Sequence, residues 1–262
     1  MPLLTLSGIT KAYGAVEALR GVDLEVHAGD VLALCGDNGA GKSSLIKIIS
    51  GAQAPSSGQI AVKGQAVAFA SPQDALRRGI ATIYQDLALA PRLSIAQNVF
   101  LGSEPTRGIG PFRILDKGRM ARESQGYLGR LAIAVSDMAT PVERLSGGQR
   151  QAVAIARALR WDAELIIMDE PTAALGVRET AQVLDLIRRL QAEGRTVVLI
   201  SHNMADVVAV SSRVAILKSG RKVVDRPTAG LDADHLAHLV MTGREEPAAV
   251  AIASERTGRT TS

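Results

Sequence analysis

The chain has 262 residues, 47% of them hydrophobic and 3% aromatic, and a formal net charge of +4. This apolar content is enough for a buried core and excludes a largely disordered chain, while the single Cys35 excludes an internal disulfide and fits a reducing compartment. Nucleic-acid binding has no support, because Lys and Arg form no long cluster and aromatic rings are sparse. No apolar run approaches the roughly 20 residues that span a bilayer, and the N-terminus lacks the features of a signal peptide.

The first part of the chain is predicted to form short strands over residues 3–34, and alternation at Ile60–Val67 continues this pattern. Tyr13 lies ahead of the first core strand, where its ring can stack on a nucleobase. A half-buried tyrosine at a sheet edge is an equally good interpretation from the sequence alone. Val31–Cys35 is typical of a strand buried on both faces.

A glycine-rich loop follows that buried strand and leads into a predicted helix, Ser44–Ser50. Gly36–Ser43 matches the phosphate-loop pattern G-x-x-x-x-G-K-S in its proper strand–loop–helix context, which makes an ordinary glycine-rich turn the weaker alternative. Lys42 can reach the β- and γ-phosphates, and the Ser43 hydroxyl can coordinate Mg²⁺. We therefore predict a nucleotide site formed by Gly36, Asp37, Asn38, Gly39, Ala40, Gly41, Lys42, Ser43 and Ser44.

Gln85 follows a predicted strand, Ile80–Tyr84. Its side-chain amide can touch Mg²⁺ or a bound water and swing away with its loop, although alone it is only a polar residue at a strand end. The following region is more polar and is interrupted by Gly and Pro, so Gly102–Phe112 is predicted as a loop. We interpret residues 86–159 as a helical subdomain inserted between core strands.

Leu145–Gln149 opens an apolar-periodic helix. A serine followed by two glycines at a helix start is expected to leave bare N–H groups at the positive end of the helix dipole, which binds anions. The chain thus has two phosphate-binding helix starts, although one nucleotide needs only one from each chain. This predicts a dimer in which one chain supplies the phosphate loop and its partner supplies Ser146, Gly147, Gly148 and Gln149.

Two acids follow the apolar strand Leu165–Met168. Parallel strands place such residues at the carboxyl edge of the sheet, where ligands bind in open α/β folds. Asp169 is a candidate Mg²⁺ ligand, and Glu170 is a candidate general base for an attacking water. A simple turn with Pro171 opening a helix explains the pair equally well in isolation, but the upstream phosphate loop favours the site.

The remaining elements alternate between helix and strand. Val177–Leu190 is predicted as an amphipathic helix with Val183, Leu184, Ile187 and Leu190 inward, and Thr196–Ile200 and Val214–Leu217 as strands. His202 follows the first of these strands and can contact a γ-phosphate oxygen or fix the position of water. Capping of the next helix by this segment is the commoner explanation for such a histidine.

This alternation predicts an α/β fold with a largely parallel sheet. We expect one domain over residues 1–243, with a core at about 1–85 and 160–243. Residues 244–262 lack periodicity and are predicted to be disordered.

From about residue 3 to 243, the order of these motifs resembles the nucleotide-binding domain of an ABC ATPase: Tyr13, Gly36–Ser43, Gln85, Leu145–Gln149, Asp169, Glu170 and His202. The resemblance implies a P-loop NTPase core of the RecA-like type, with an antiparallel β subdomain and an inserted α-helical subdomain. It also implies ATP hydrolysis with ATP and Mg²⁺ bound.

The resemblance assigns a role to each motif residue. Tyr13 would stack on adenine, Glu170 would act as base, His202 as switch, and Lys42 and Gln85 would complete the catalytic set. The Mg²⁺ ligands would be Ser43, Gln85 and Asp169. The trans phosphate clamp would fall on Ser146 and Gly148, within the segment Ser146–Gln149.

Four sequence segments are similar to those of the ATPases of bacterial sugar importers of the ribose, xylose and fructose kind: Gly36–Ser43, Ser71–Ala75, Asn98–Gly102 and Met168–Leu175. Those importers usually fuse two ATPase domains, whereas this chain carries one, which implies a homodimer or a homologous partner chain. Gly176 replaces the aspartate that ABC ATPases usually place across the dimer interface. Sugar-importer ATPases often lack that aspartate as well.

The resemblance therefore implies import of a monosaccharide through an integral membrane permease, with a periplasmic sugar-binding protein as an indirect partner. The chain would lie peripherally on the cytoplasmic face of the bacterial inner membrane and bind no nucleic acid. A soluble ABC ATPase acting on ribosomes or nucleic acid is the alternative, although such proteins typically carry two ATPase domains or a coiled-coil insertion. A small-molecule kinase is a further alternative, but it leaves Leu145–Gln149 unexplained.

Overall fold

The computed structural model describes residues 1–108, 112–133, 135, 137–173 and 175–244. Within these ranges the strands are β1 (Pro2–Tyr13), β2 (Val16–His27), β3 (Val31–Cys35), β4 (Ser57–Val62), β5 (Gln65–Val67), β6 (Ile80–Ile83), β7 (Thr106–Arg107), β8 (Ile114–Leu115), β9 (Leu165–Asp169), β10 (Thr196–Ile200), β11 (Arg213–Lys218) and β12 (Arg221–Pro227). The helices are α1 (Lys42–Ile49), α2 (Pro72–Arg77), α3 (Ile95–Phe100), α4 (Lys117–Arg130), α5 (Gly147–Arg160), α6 (Val177–Ala192), α7 (Met204–Val210) and α8 (Ala233–Thr242).

A six-stranded sheet in the order β12-β11-β3-β10-β9-β6 forms the centre of the fold. All of its neighbouring pairs are parallel except β11 with β12. Every residue of Val31–Cys35 is buried, as expected for a strand covered on both faces. Because β9 and β10 pair Asp169 with Ile200, the residues that follow these two strands lie together at the carboxyl edge. The prediction of a mainly parallel α/β sheet is confirmed.

The N-terminal region forms an antiparallel sheet in the order β2-β1-β4-β5. The prediction of short strands over residues 3–34 is wrong for β1 and β2, which are each 12 residues long. Their pairing contains several register shifts, one of them between Leu6 and Ile9. Such bulges interrupt the strict alternation of apolar residues, which explains why the sequence pattern suggested separate strands.

Helices α3, α4 and α5 pack against one another, and α5 also contacts α6 and β6. Their apolar faces share one core with one side of the parallel sheet, including Ile95, Val99, Met120, Leu128, Val153, Ile155, Val183 and Ile187. The predicted loop Gly102–Phe112 is corrected in part, because Thr106 and Arg107 pair with Leu115 and Ile114 in a short hairpin. Residues 109–111 of that predicted loop lie outside the described residues.

Helix α6 begins at the predicted Val177 and extends to Ala192. Its fully buried side chains include Leu186, whereas the predicted inward residue Leu184 is only half-buried. In the part of the chain that the structure describes, no helix combines the length and the apolar content that crossing a membrane requires. The part of the predicted tail that follows Arg244 lies outside the described residues.

Candidate functional site

The phosphate loop connects β3 to α1, and its backbone lies close to two other strands. A Cβ atom on Gly36 (φ +147°) would lie 2.3 Å from the Leu217 carbonyl oxygen. A Cβ atom on Gly41 (φ +106°) would lie 2.7 Å from the Ala18 carbonyl oxygen. Both positions therefore need glycine for close approach as well as for backbone conformation.

Lys42 is buried beneath this loop, and its ammonium donates hydrogen bonds to the carbonyl oxygens of Gly36 at 2.5 Å and Asp37 at 3.1 Å. Burial lowers the pKa of Lys42, and the negative charge of Glu170 acts in the opposite direction. Helix α1 begins after Gly41, which provides no side-chain acceptor for the first N–H groups of the helix. These N–H groups and the Lys42 ammonium together suit a phosphate.

Asp169 and Glu170 lie where β9 ends, as the sequence predicts. The Glu170 backbone is left-handed (φ 51°), a conformation that costs a non-glycine residue about 1 kcal/mol. Its N–H donates to the carbonyl of Ile200 at 3.0 Å, so the neighbouring strand holds this turn in place. Burial raises the pKa of both carboxyl groups. A base of raised pKa at the sheet edge suits the acceptance of a proton from water.

His202 lies against Glu170. The His202 backbone N–H donates to Glu170 Oε2 at 3.4 Å, and its ring Nε2 lies 3.1 Å from Glu170 Oε1. That Oε1 atom is buried and, among the described residues, receives no aligned hydrogen bond. The structure therefore brings together the predicted base and the predicted switch residue.

The start of α5 differs from the prediction of bare N–H groups. The Ser146 hydroxyl accepts from the Gln149 N–H, and the Gln149 side chain accepts from the Ser146 N–H, which together form a capping box. The Gly147 N–H donates to Glu179 Oε1 at 2.9 Å. Gly148 is packed so closely that a Cβ atom there would lie 2.7 Å from Gln182 Oε1. Ser146 itself is exposed to solvent, whereas Gly147 and Gly148 are buried.

Tyr13 and Gln85 are both exposed. The Tyr13 hydroxyl donates to Gln53 Oε1, and the Lys11 ammonium lies 5.4 Å from the centre of its ring. Gln85 lies two residues after the end of β6, in a loop at the same edge of the sheet as Glu170. Both side chains are thus accessible to a ligand.

Two residues of this region were missed by sequence reasoning. Glu179 was missed because its capping partner, Gly176, has no side chain that would mark a capping box. Its Oε2 accepts from the Gly176 N–H at 3.3 Å, while Oε1 binds Gly147, so it joins the starts of α5 and α6. Arg157 was missed because it lies within an apolar helix; its guanidinium donates to the carbonyls of Leu87 and Ala88 in the loop after Gln85.

A cavity of about 400 Å³ lies between the end of β6, α2 and the C-terminal part of α5. Among its lining residues are Leu76, Tyr84, Leu101, Arg157 and Trp161. The cavity reaches Tyr84, the residue that precedes Gln85.

The family model for ABC transporters matches residues 19–173. The fructose import ATP-binding protein FrcA of Rhizobium meliloti is 46% identical over 97% of this chain and 98% of that protein. The xylose/arabinose import ATP-binding protein XylG of Sulfolobus acidocaldarius is 49% identical over 84% of this chain and 86% of that protein. The ribose import ATP-binding protein RbsA of Yersinia pestis is 43% identical over 93% of this chain, which spans only 47% of that protein.

Solved structures agree with this assignment. A structure of MJ1267, an ATP-binding cassette of an ABC transporter, has a TM-score of 0.79 at 25% identity and covers 93% of this chain and 98% of its own. The dimeric, post-hydrolysis structure of the ATP-binding cassette MJ0796 bound to ADP and Pi has a TM-score of 0.71 at 26% identity, covering 87% and 100%.

The chain belongs to the ABC transporter family, and its fold is that of an ATP-binding cassette, an ATPase. Two relatives that it matches over most of their length are the fructose and the xylose/arabinose import ATP-binding proteins, so the chain is similar to the ATPase subunits of sugar importers. The alternative of an ATPase acting on ribosomes or nucleic acid has no support from these relatives.

Proposed function

We propose that this chain hydrolyses ATP at the interface of a dimer and thereby energises import of a monosaccharide through a separate membrane permease. The observation that carries the proposal is the convergence at one sheet edge of the phosphate loop, the buried Lys42 ammonium and the carboxylates of Asp169 and Glu170. A phosphate chain and an attacking water need these groups together.

The loop Gly36–Ser43 and the start of α1 supply N–H donors and the Lys42 ammonium for the phosphates of ATP, and Tyr13 supplies an exposed ring for adenine. The Ser43 hydroxyl, the Gln85 amide and the Asp169 carboxylate are oxygen donors, the ligand type that Mg²⁺ prefers. These residues would hold Mg²⁺, which neutralises charge on the phosphates when bound.

Glu170 accepts the proton of the attacking water, because it lies at the carboxyl edge beside the phosphate loop and burial raises its pKa. His202 holds this carboxylate through its backbone N–H, and its ring Nε2 lies 3.1 Å from Oε1. The charge that develops on the transferring phosphoryl group is stabilised by Lys42 and the loop N–H groups, which the fold fixes before reaction.

The second copy supplies the exposed Ser146 hydroxyl and the positive end of the α5 dipole. The dimeric structure of the similar cassette MJ0796 with ADP and Pi supports a dimer for this chain. Because the Gly147 N–H is engaged by Glu179, Ser146 and Gly148 are the residues proposed to complete the trans clamp.

The cavity beside the Gln85 loop is proposed to receive a permease segment on the cytoplasmic face of the bacterial inner membrane. Closure of the dimer would move that segment and change access through the permease. A periplasmic sugar-binding protein would deliver the monosaccharide. The import names of the relatives support this direction and this class of cargo.

Glu170→Gln tests the proposed chemistry. The variant is expected to bind ATP, to form stable dimers with ATP, and to lose at least about a hundredfold in kcat, because the general base is gone. Glu164→Gln is the matched control, since Glu164 lies at the opposite end of β9 and pairs with Lys63 at the surface. Light scattering with and without ATP measures dimer formation, and phosphate release measures turnover.

Wild-type turnover by Glu170→Gln would reject the assignment of the base. Full-speed hydrolysis by a strictly monomeric wild-type chain would reject the dimer. Co-purification of the tagged chain with a permease encoded beside it, and sugar uptake by that complex in vesicles, tests the proposed import.

A further inference from the structure

The loop after Gln85 contains two consecutive non-glycine residues with left-handed backbone. Leu87 has a φ of 57° and Ala88 a φ of 44°. Such conformations are unfavourable for residues that carry a Cβ atom, and they persist only where the surroundings hold them. The contacts of this short segment therefore indicate what fixes the loop that carries Gln85.

Within the loop, the Leu87 N–H donates to the Tyr84 carbonyl and the Ala88 N–H donates to Asp86 Oδ1, and one side chain from outside the loop also binds this segment. The Arg157 guanidinium donates from Nη1 to the Ala88 carbonyl and from Nη2 to the Leu87 carbonyl, both at 2.8 Å. Burial lowers the pKa of Arg157. The planar guanidinium reaches two adjacent carbonyls at once, which a lysine ammonium does not reproduce.

The far end of the loop is fixed separately. The fully buried Asn98 accepts from the Ala90 N–H and donates to the carbonyls of Ala90, Leu93 and Ser94. Between Tyr84 at the end of the sheet and this anchor, Arg157 holds the middle of the loop. Arg157 thus links α5 to the segment that follows Gln85.

Arg157 belongs to α5, the helix whose first residue is Gly147. Ten residues of α helix extend about 15 Å, so one rigid element joins the phosphate-clamping start of α5 to the Gln85 loop. We propose that Arg157 is a positioning residue through which α5 sets the position of the Gln85 loop, so that engagement of Ser146 by nucleotide on the partner subunit is transmitted to Gln85. This proposal rests on the dimer of the proposed function.

Arg160 provides a matched comparison on the same helix. Its Nε donates to the Val99 carbonyl at 3.0 Å, and its guanidinium stacks 4.5 Å from the centre of the Trp161 ring. Burial lowers the pKa of Arg160 as well. It is thus a second half-buried arginine of α5, but its hydrogen bond goes to the end of α3 and not to the Gln85 loop.

The experiment places a spin label on Ala88→Cys, an exposed position of the loop, in the Glu170→Gln background. The native thiol of Cys35 is buried and does not compete for the label. Arg157→Lys and Arg157→Gln are compared with Arg160→Lys, and thermal unfolding establishes that each variant is folded. If Arg157→Gln does not fold, Arg157→Lys carries the test.

Without nucleotide, both Arg157 variants are expected to narrow the label spectrum, because the loop is released, whereas Arg160→Lys keeps the parent spectrum. Addition of Mg-ATP is expected to change the parent and Arg160→Lys spectra and to leave the Arg157 variants unchanged. With Glu170 restored and no label, we expect Arg157→Lys to lower kcat by about tenfold or more while the Kd for ATP moves less than about twofold.

Arg157 variants whose spectra match Arg160→Lys with and without Mg-ATP would overturn the proposal. A loss of ATP affinity that accounts for the whole loss of activity would overturn it as well. If the parent binds Mg-ATP but forms no dimer, the proposed function fails instead, and the transmission that depends on it fails too. The nucleotide-free spectra then still decide whether Arg157 holds the loop.

Discussion

Glu179 joins the starts of two helices, and its removal offers a quantitative test of how the α5 start is held. Its Oε1 accepts from the Gly147 N–H at 2.9 Å, and its Oε2 accepts from the Gly176 N–H at 3.3 Å. Glu179→Ala removes both bonds and leaves the Gly147 N–H, in a buried residue, without its acceptor. We expect the variant to fold with reduced stability.

The magnitude follows from these contacts. A hydrogen bond to a charged acceptor contributes about 1.5–3 kcal/mol, and the short bond to Gly147 dominates. The longer bond to Gly176, together with the favourable charge at the start of α6, adds about 0.5 kcal/mol. Because Glu179 is half-buried, solvent screens part of this total, and we expect a net loss of about 2 kcal/mol for alanine.

Glu179→Gln keeps one acceptor oxygen and is expected to lose about 1 kcal/mol. Equilibrium urea denaturation with an unchanged m-value measures both changes. The matched control is Asp185→Ala on the same helix, whose exposed ion pair with Arg188 predicts a change below about 0.5 kcal/mol. If the free energy of unfolding of Glu179→Ala lies within about 0.5 kcal/mol of the parent value, as expected for the control, then the two hydrogen bonds of Glu179 do not stabilise the protein as argued.

Two further predictions concern titrating groups. Burial raises the pKa of Cys35 to about 12, so at pH 8 the thiolate population falls about a thousandfold below that of a free cysteine, and iodoacetamide should leave the native chain unmodified in a mass spectrum. Burial also raises the pKa of Glu170. A base must be deprotonated, so kcat should be retained above that raised pKa and lost as the pH falls through it, at a higher pH than an ordinary glutamate would give.

Each of these predictions has its own control. The same reagent in denaturing urea should modify Cys35 fully, and rapid modification of the folded chain would contradict its burial. For Glu170, ATP binding is measured over the same pH range, so that a loss of binding is not mistaken for a loss of the base. If kcat falls on the acidic side only at the pH expected for an exposed glutamate, the raised pKa of Glu170 is contradicted.

Several features were predictable because they depend on consecutive residues. The phosphate loop Gly36–Ser43 places its phosphate-binding groups in eight adjacent positions, and the structure shows close backbone approaches that require glycine at Gly36 and Gly41. Asp169 and Glu170 follow an apolar strand directly, so a parallel sheet necessarily brings them to the carboxyl edge.

Other features escaped the sequence because they depend on pairing or on distant partners. Bulges in β1 and β2 broke the alternation that marks a single long strand. The N–H groups at the start of α5 were expected to be bare, but Glu179, 32 residues further along the chain, accepts one of them. Nothing in the local pattern around Arg157 indicates that it binds carbonyls 69 and 70 positions earlier.

The sequence by itself determined the class of fold, the nucleotide loop and the pair of acids, because local pattern and hydrophobic periodicity specify strands, helices and the residues at their ends. Only the tertiary structure decided which donors at the α5 start are already satisfied, how His202 meets Glu170, and what holds the Gln85 loop. These are contacts between segments far apart in the chain, and their geometry is set by packing of the whole core rather than by any local preference.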